Sequence, residues 1–377
     1  MSGDRKSSGG LAGVVAAETS LSTIDGDNGR LSYRGYDIHA LAKGATFPEV
    51  LYLLWYGELP NRAELIAFEG LLAAEREVPA EVIDVLSGLP ADTVPMAALR
   101  TAVSGLGCMD PLAESNERGA NLAKSVRLVA QLPTIVAAHD RIRAGKSPIA
   151  PDPELSHSAN FLYMLSGEHP TAAAARALDV SLILYLEHGL NASTFACRIV
   201  ASTLSDMHSA VTAGIGALKG PLHGGANQRA MEMLSEIAAE GNAEAWVDRA
   251  LAEGRKIMGF GHRVYRTEDP RATHLRRMSE DLAAEVGAAR LHDLAREVER
   301  TMLDRKGIPC NVDFYCATVY GSLGIPLDLY TPLFAIGRVG GWAAHVMEQH
   351  ENNRLIRPRA EYVGPADRRF VRLEERR

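Results

Sequence analysis

The chain has 377 residues, which is long enough to bury a large core and too long for one typical compact unit, so we expect two domains. Hydrophobic residues make up 46% and charged residues 23% of the sequence, as in ordinary globular proteins. The formal net charge of −7 argues against nucleic acid as the main partner, because such binding needs a basic surface.

Nothing in the sequence indicates a membrane or secreted protein. No apolar run approaches the roughly 18 residues of a membrane span, and the amino-terminal MSGDRKSSGG lacks the apolar segment of a signal peptide. The four cysteines, which show neither a CxxC pair nor a disulfide-framework spacing, stand at positions 108, 197, 310 and 316. Free thiols suit a reducing compartment, so the expected location is the cytoplasm.

The first part of the chain contains the only convincing strand signal. Residues 1–10 are rich in Ser and Gly and are predicted to be disordered. Residues 14–38 then alternate weakly between apolar and polar side chains around the turn sequence GDNG at 26–29. Alternation on both sides of such a turn predicts a β-hairpin.

Helical signals dominate from residue 43. Thr46 and Glu49 form a capping-box pattern, and Gly57 is placed to end that helix. Asn61 and Glu64 repeat the pattern. Further helices are predicted near 79–87, 94–104 and 119–145, followed by a proline-rich surface loop at 146–155.

The second half of the chain divides into an apolar and a more polar part. Residues 160–219 have low enough polarity to predict buried helices, with interruptions at Gly167, Gly189 and Gly214. Charged segments that are typical of amphipathic surface helices follow at 241–257 and 271–306. The charge-rich end of the chain is typical of a solvated tail.

These elements predict an all-α protein of two domains with a small N-terminal β-hairpin. We expect residues 1–224 and 329–377 to form a large helical domain. The more polar residues 225–328 would form a smaller, mobile domain inserted into it.

The stretch GPLHGGANQRAMEML, residues 220–234, carries the clearest candidate site. Pro221 and three glycines predict a tight turn, and the residues that follow have helical spacing. His223 lies in this turn, ahead of the helix, where the helix dipole favours a neutral imidazole. A neutral imidazole can donate a hydrogen bond to a developing oxyanion. Taken alone, however, a histidine in a helix-capping loop is the commoner explanation.

The stretch GFGHRVYRTEDPRA, residues 259–272, is a candidate for anion recognition. His262 follows Gly-Phe-Gly, and three arginines stand close by at positions 263, 266 and 271. Flexible backbone and guanidinium groups both suit phosphate or carboxylate. Asp269 and Pro270 predict an N-cap and a first helical turn, which would place Arg271 near the start of a helix.

Three other motifs carry polar residues whose ordinary explanation is structural. In EHGLNASTF, His188 lies just before Asn191, a residue that can cap a helix. In NVDFY, Asp313 lies near the start of an apolar helix, where acidic residues commonly interact with the helix dipole. Arg338 stands among glycines and Arg357 in a proline-fixed segment, and both would ordinarily be surface charges.

The sequence lacks the motifs of several competing enzyme classes. It has no HxxxH or HExxH metal-binding pattern, no Gly-x-Ser-x-Gly elbow, and neither a Walker nor a dinucleotide fingerprint. Histidines, one carboxylate and arginines therefore indicate acid–base chemistry on a carboxylate-bearing carbonyl compound, with no metal and no redox cofactor.

Taken together, five motifs in this order closely resemble those of citrate synthases in their short bacterial and archaeal form. The motifs are EHGLNASTF, GPLHGGAN, GFGHRVYRTEDPRA, NVDFY and RPRAEYVG. The resemblance runs from about Gly10 to Gly364. It implies a homodimer of nearly all-helical subunits, each with two domains that close over acetyl-CoA and oxaloacetate.

The resemblance also implies a role for each candidate residue. Asp313 would take a proton from the methyl group of acetyl-CoA, His223 would hydrogen-bond the thioester oxygen, and His262 would polarise the ketone of oxaloacetate and supply its proton. The oxaloacetate carboxylates would be held by His188, Arg271, Arg338 and, from the other subunit, Arg357. Contacts with CoA would come from Gly259, Phe260, Gly261 and Arg266, with Lys256 and Lys306 as further candidates.

The motifs leave other functions open. A 2-methylcitrate synthase would use propionyl-CoA, and one methylene in an apolar pocket is worth only about 1–3 kcal/mol, so the motifs do not separate the two substrates. A catalytically silent helical scaffold would keep the fold, although the presence of all three catalytic residues argues against it. A metal hydrolase, the third alternative, would lose its activity on chelation.

Overall fold

The computed structural model describes residues 9–11, 13–287 and 289–376. Within these ranges the chain forms sixteen α-helices and one small sheet, so the predicted all-α class is confirmed. The prediction of disorder concerned residues 1–10, most of which lie outside the described ranges. No helix in the described part of the chain is long and apolar enough to cross a bilayer.

The helices, in chain order, are α1 (Ile38–Gly44), α2 (Phe47–Tyr56), α3 (Arg62–Ala74), α4 (Ala80–Ser87), α5 (Pro95–Met109), α6 (Arg118–Arg143), α7 (His157–Ser166), α8 (Ala172–Leu186), α9 (Ala192–Ser202), α10 (Met207–Leu218), α11 (Ala226–Glu240), α12 (Ala243–Ala252), α13 (Ala272–Val286), α14 (Ala289–Lys306), α15 (Val312–Ser322) and α16 (Tyr330–Glu351). Short 3-10 helices cover Gly9–Leu11, Leu327–Leu329 and Leu373–Glu375.

The predicted β-hairpin is present and carries one additional strand. The antiparallel strands, in the spatial order β1-β2-β3, are β1 (Ser22–Asp25), β2 (Arg30–Tyr33) and β3 (Tyr36–Asp37). Gly29, in the turn between β1 and β2, has a φ of 63°, which glycine adopts without strain. A Cβ at this position would lie 2.6 Å from Oγ1 of Thr267, so the hairpin turn packs closely on the loop that follows His262.

The predicted capping boxes define the starts of α2 and α3. The Glu49 carboxylate accepts a hydrogen bond from the Thr46 backbone N–H at 2.6 Å, while Thr46 Oγ1 caps the backbone of Glu49. Asn61 and Glu64 form the same arrangement at the start of α3. Gly57 ends α2 in a left-handed conformation with a φ of 94°. These boundaries follow from local sequence alone.

One predicted helix break is wrong. Gly214 lies inside α10, where a Cβ would come within 2.5 Å of Sγ of Cys197 and 3.2 Å of the Trp342 ring. The glycine is therefore needed for the close packing of α9, α10 and α16. The break falls instead before α10, where Leu204 has a φ of 64° and Asp206 caps the helix.

The core is built around α8 and α16, which pack side by side. Tyr185 on α8 and Trp342 on α16 are completely buried, and the predicted burial of the helices in 160–219 is confirmed for most of their length. Arg338 lies more than two turns inside α16 and is buried, so the ordinary explanation of a surface charge does not apply to it.

Helices α11 to α15 contact mostly one another. Helix α15 packs on α11 and α13, and α12 packs on α14. Helix α13 also packs on α8, which joins this group to the apolar core. The division into a large and a small domain at residues 225 and 328 stays a prediction.

Candidate active site

The turn that carries His223 is shaped by glycines. The backbone N–H of His223 donates to the Gly220 carbonyl at 2.9 Å. A Cβ on Gly224 would collide with the carbonyl oxygen of Leu218, so only glycine fits there. Gly225 follows with a φ of 75° and caps α11. His223 therefore lies just ahead of α11, as predicted.

The hydrogen bonds of His223 define its tautomer. Its Nε2 accepts from the backbone N–H of Ser193 at 3.2 Å and lies 2.8 Å from the Ser193 hydroxyl. Since a backbone N–H can only donate, Nε2 carries a lone pair and the ring proton is on Nδ1. Burial, with a smaller contribution from Arg338, lowers the pKa of His223 to about 4. The ring is thus a neutral donor through Nδ1, and burial is the main cause.

His262 is held in the opposite tautomer. Its Nδ1 accepts backbone N–H groups from Val264 at 3.0 Å and from Tyr265 at 3.2 Å. The ring proton is therefore on Nε2. Burial and the Arg271 guanidinium lower the pKa of His262 to about 4. A second neutral imidazole is thus able to donate a hydrogen bond, through Nε2.

His188 completes a cluster of aromatic rings with His262. The two imidazole centroids are 5.3 Å apart, and Tyr265 packs against both rings. Nε2 of His188 lies 3.0 Å from the Tyr265 hydroxyl. Burial, followed by Arg271 and Arg338, holds the pKa of His188 well below its usual value. Both arginines therefore act electrostatically on the histidine cluster.

Arg271 forms a buried ion pair that joins two helix starts. Its Nε and Nη2 donate to the two oxygens of Asp269 at 2.9 and 2.8 Å. Asp269 Oδ2 also accepts from the backbone N–H of Val312, in the first turn of α15, at 3.1 Å. Asp269 is not the N-cap of α13 as predicted, because Arg271 occupies the cap position; the Asp269 carboxylate instead accepts the backbone N–H of Arg271 itself at 3.1 Å. Arg271 does lie at the helix start, as predicted.

Asp313 lies in the first turn of α15, behind the N-cap Asn311. Its Oδ1 accepts a hydrogen bond from the Tyr185 hydroxyl at 3.0 Å. Burial raises the pKa of Asp313, and Arg271 opposes this effect by favouring the charged form. The result is a carboxylate that is more basic than an exposed one.

Arg338 is buried beside this carboxylate. Only 1% of the residue is exposed, its Nε donates to the backbone carbonyl of Tyr185, and its guanidinium carbon lies 4.8 Å from the centroid of the Phe334 ring. Burial lowers the pKa of Arg338 to about 10, against the attraction of Glu187. Arg338 thus remains a cation at neutral pH, so two buried cations, Arg271 and Arg338, flank the histidines and the acid.

Comparison with known proteins identifies the family. A sequence model of the family described as "Citrate synthase, C-terminal domain" matches residues 10–359. The chain belongs to the citrate synthase family. A citrate synthase of Haloferax volcanii is 49% identical over 381 residues, covering 100% of both chains. A 2-methylcitrate synthase of Shewanella oneidensis is 44% identical over 382 residues and also covers 100% of both.

Solved structures of citrate synthases share the fold. The enzyme from Pyrobaculum aerophilum matches with a TM-score of 0.92 at 42% identity, over 97% of this chain and 95% of that chain. The enzyme from Thermoplasma acidophilum, in a ternary complex with carboxymethyl coenzyme A and oxaloacetate, matches with a TM-score of 0.90 at 36% identity, over 97% and 98%. The resemblance found in the sequence motifs is thereby confirmed.

In this citrate synthase family member, the loop of residues 259–261 is hydrogen-bonded to the start of α15. The Gly259 carbonyl accepts the backbone N–H of Asn311 at 2.8 Å, and the Gly261 carbonyl accepts the Asn311 side-chain amide at 2.8 Å. Phe260 is buried with its ring centroid 4.7 Å from that of Phe314. The loop thus connects His262 to the helix that carries Asp313.

The other residues proposed for CoA binding are exposed. Arg266 is 83% exposed in its side chain and pairs with Asp27 of the hairpin turn at 3.0 Å. Lys256 and Lys306 are also exposed. Arg357 is exposed too, and no hydrogen bond or ion pair joins it to any described residue of its own chain. Within the described residues, no polar contact therefore links Arg357 to the site of the same subunit.

Sequence reasoning missed three residues that organise the site. Ser193 and Tyr265 lie inside two of the quoted motifs, and their position there could have indicated that they belong to the site. Tyr185 had only a weak signal, as a hydroxyl at the end of the apolar stretch that forms α8. Its contact with Asp313 spans 128 positions in the sequence and depends on how the helices pack.

One group of side chains outside the site has metal-ligand types. Ligand atoms of Glu268, Glu299 and Cys310 lie within 4.8 Å of one another. The Arg276 guanidinium donates hydrogen bonds to both glutamates. A cation thus already neutralises this cluster, and we assign no metal to it.

Proposed function

We propose that this chain condenses acetyl-CoA with oxaloacetate and water to give citrate and CoA, using Asp313, His223 and His262 and no cofactor. The observation that carries the proposal is the pair of partly buried, neutral histidines held in opposite tautomers, together with the raised pKa of the Asp313 carboxylate. Both histidines are donors without charge, and the carboxylate is an acceptor.

The first step would be removal of a proton from the methyl group of acetyl-CoA. A carboxylate is a weak base for so weak a carbon acid, so the thioester oxygen must receive a hydrogen bond at the same moment. Asp313 takes the proton, and Nδ1–H of His223 donates to the thioester oxygen. Ser193 holds the other side of the His223 ring, so this proton stays available for the substrate.

The second step would be attack of the enol carbon on the ketone of oxaloacetate. Nε2–H of His262 polarises the ketone and supplies the proton to the alkoxide that forms. His188, Arg271 and Arg338 hold the carboxylates. The buried cations suit a dianion because charge-assisted hydrogen bonds are strong in a dry site. Water then hydrolyses the thioester and releases CoA.

Exclusion of water would follow from movement of the small domain over the large one. The enol is short-lived in water, so closure protects the yield as well as the rate. Gly259, Phe260, Gly261 and Arg266 would contact CoA on the mobile side. Exposed cations at Lys256 and Lys306 would add attraction for the CoA phosphates.

Release of free thiol from acyl-CoA tests the reaction directly. Thiol should appear from acetyl-CoA only when oxaloacetate is present, and the rate should survive a chelator. A specificity constant that is higher for propionyl-CoA than for acetyl-CoA would favour the 2-methylcitrate synthase alternative. Thiol release that needs no oxaloacetate would contradict the proposed condensation.

We further propose that the active protein is a homodimer in which Arg357 completes the site of the partner subunit. Arg357 is exposed, and the adjacent Ile356 is tied to Ser202 at the end of α9 by a hydrogen bond of 3.1 Å. A chain end in this position can reach across a two-fold axis, where each subunit makes the same contact with the other.

Complementation between two inactive variants tests the shared site. Arg338→Ala and Arg357→Ala homodimers should both be nearly inactive, because each leaves a substrate carboxylate poorly paired. After joint unfolding and refolding, one site of each mixed dimer carries both lesions and the other carries none. Activity should return to about one quarter of the parent when half of the dimers are mixed. A preparation that contains mixed dimers by mass, and yet regains nothing, would contradict the shared site.

A further inference from the structure

We propose that Tyr185 is a positioning residue for Asp313, whose hydroxyl holds one carboxylate oxygen and leaves the other to accept the substrate proton. The inference rests on the proposed function, in which Asp313 is the base. It assigns to the end of α8 a part in the proton-transfer step that no sequence motif indicated.

The geometry singles out one oxygen of Asp313. The Tyr185 hydroxyl donates to Oδ1 at 3.0 Å, and no residue in the described ranges donates a hydrogen bond to Oδ2. A carboxylate with one oxygen held in this way has a preferred orientation, because rotation about its side chain would break the bond. Oδ2 is then the oxygen that receives the proton.

Tyr185 is itself held rigidly between two helices. Its ring packs on Phe334 with centroids 4.2 Å apart, and its Cβ faces Gly337, where an added Cβ would lie at 3.0 Å. Its backbone carbonyl accepts the Nε–H of Arg338. One completely buried residue thus contacts both the base and an arginine proposed to bind oxaloacetate.

The charges around the pair keep the hydroxyl a donor. Burial, the Cys316 thiol and Asp313 raise the pKa of Tyr185 well above its usual value, so the phenol stays protonated. Burial raises the pKa of Asp313 and Asp269 adds to this, whereas Arg271, the Tyr185 hydroxyl and Arg338 favour the charged carboxylate. Removing the hydroxyl leaves the other four influences in place.

The variant Tyr185→Phe removes this donor and keeps the ring. The pKa of Asp313 should rise. When the pH is lowered, the activity of the variant should therefore begin to fall at a higher pH than that of the parent. We expect the acid limb of the pH profile of kcat/KM to move up by about one pH unit, as for loss of a hydrogen bond to a charged group. The KM for oxaloacetate should stay within about twofold, because the backbone carbonyl that holds Arg338 remains.

Tyr320→Phe is the matched control. Tyr320 is equally buried on α15, and its hydroxyl lies 2.6 Å from Oγ of Ser181, with no hydrogen bond to Asp313. This variant loses the same atom and should leave the acid limb in place. If Tyr185→Phe folds poorly, 3-fluorotyrosine at position 185 offers a second measurement. Its more acidic phenol is a stronger donor, so it should move the limb to lower pH.

The outcomes separate this inference from the proposed function. An acid limb that moves in neither Tyr185 variant, or a uniform loss of activity at all pH values, would overturn the positioning role. Asp313→Asn is measured alongside. Full activity in that variant would contradict the proposed base itself, whereas its inactivity combined with an unmoved limb would reject Tyr185 alone.

Discussion

Asp269→Asn should weaken the protein more than any comparable change at an exposed ion pair. The Asp269 side chain is completely buried and accepts three hydrogen bonds from Arg271 and one from Val312. Asparagine keeps the shape, removes the charge and turns one acceptor into a donor. That donor would face N–H groups of Arg271 or Val312, and the buried guanidinium would lose its counter-charge.

The structure supplies the magnitude and its control. Breaking a buried pair by removing one partner costs about 3–5 kcal/mol of the free energy of unfolding. Asp27→Asn removes the carboxylate of the Asp27–Arg266 pair, whose side chains are 77% and 83% exposed, and should cost below about 1 kcal/mol. The two substitutions are chemically identical and differ only in burial.

Urea unfolding, followed by circular dichroism, measures both values. The pH dependence gives a second check. Burial would raise the pKa of Asp269, but Arg271 holds it below the ordinary value of 3.8. The lowered pKa means that this stabilisation is present above pH 3.8 and lost as the pH falls through the folded-state value. The gap between parent and Asp269→Asn should therefore be constant from pH 8 to 5 and shrink in stronger acid. Equal losses for Asp269→Asn and Asp27→Asn at pH 7 would refute the reasoning.

Three further predictions concern the proposed catalytic groups. Asp313→Asn should keep oxaloacetate binding and lower kcat by several orders of magnitude, and turnover within about tenfold of the parent would show that Asp313 is not the base. His223 and His262 should stay neutral down to about pH 5. NMR should place the ring proton on Nδ1 of His223 and on Nε2 of His262. A pKa at or above about 6.5 for either ring would contradict its role as a neutral donor. Arg266→Ala should raise the KM for acetyl-CoA about tenfold or more with kcat preserved. Asp27→Asn is the control and should leave this KM unchanged. An unchanged KM in Arg266→Ala would show that Arg266 does not bind CoA.

The sequence by itself determined the local structure of this protein and the chemistry of its motifs. Capping pairs such as Thr46 with Glu49 encode helix starts because their hydrogen bonds close within four residues. The turn around His223 is equally local, because its backbone requires glycine at positions 224 and 225. The order of five short motifs was enough to indicate the family.

Only the tertiary structure decided which of these residues act together, and in which protonation state. The tautomer of His223 depends on the backbone N–H of Ser193, which lies thirty residues away in the sequence. The hydrogen bond between Tyr185 and Asp313 joins residues 128 positions apart. Gly214 looked like a helix break because a glycine weakens an isolated helix, but its meaning lies in the closeness of Cys197 and Trp342. Burial, too, exists only after packing. Burial lowers the pKa of the histidines and raises that of Asp313. The sequence alone does not show which side chains lose their contact with water when the chain packs.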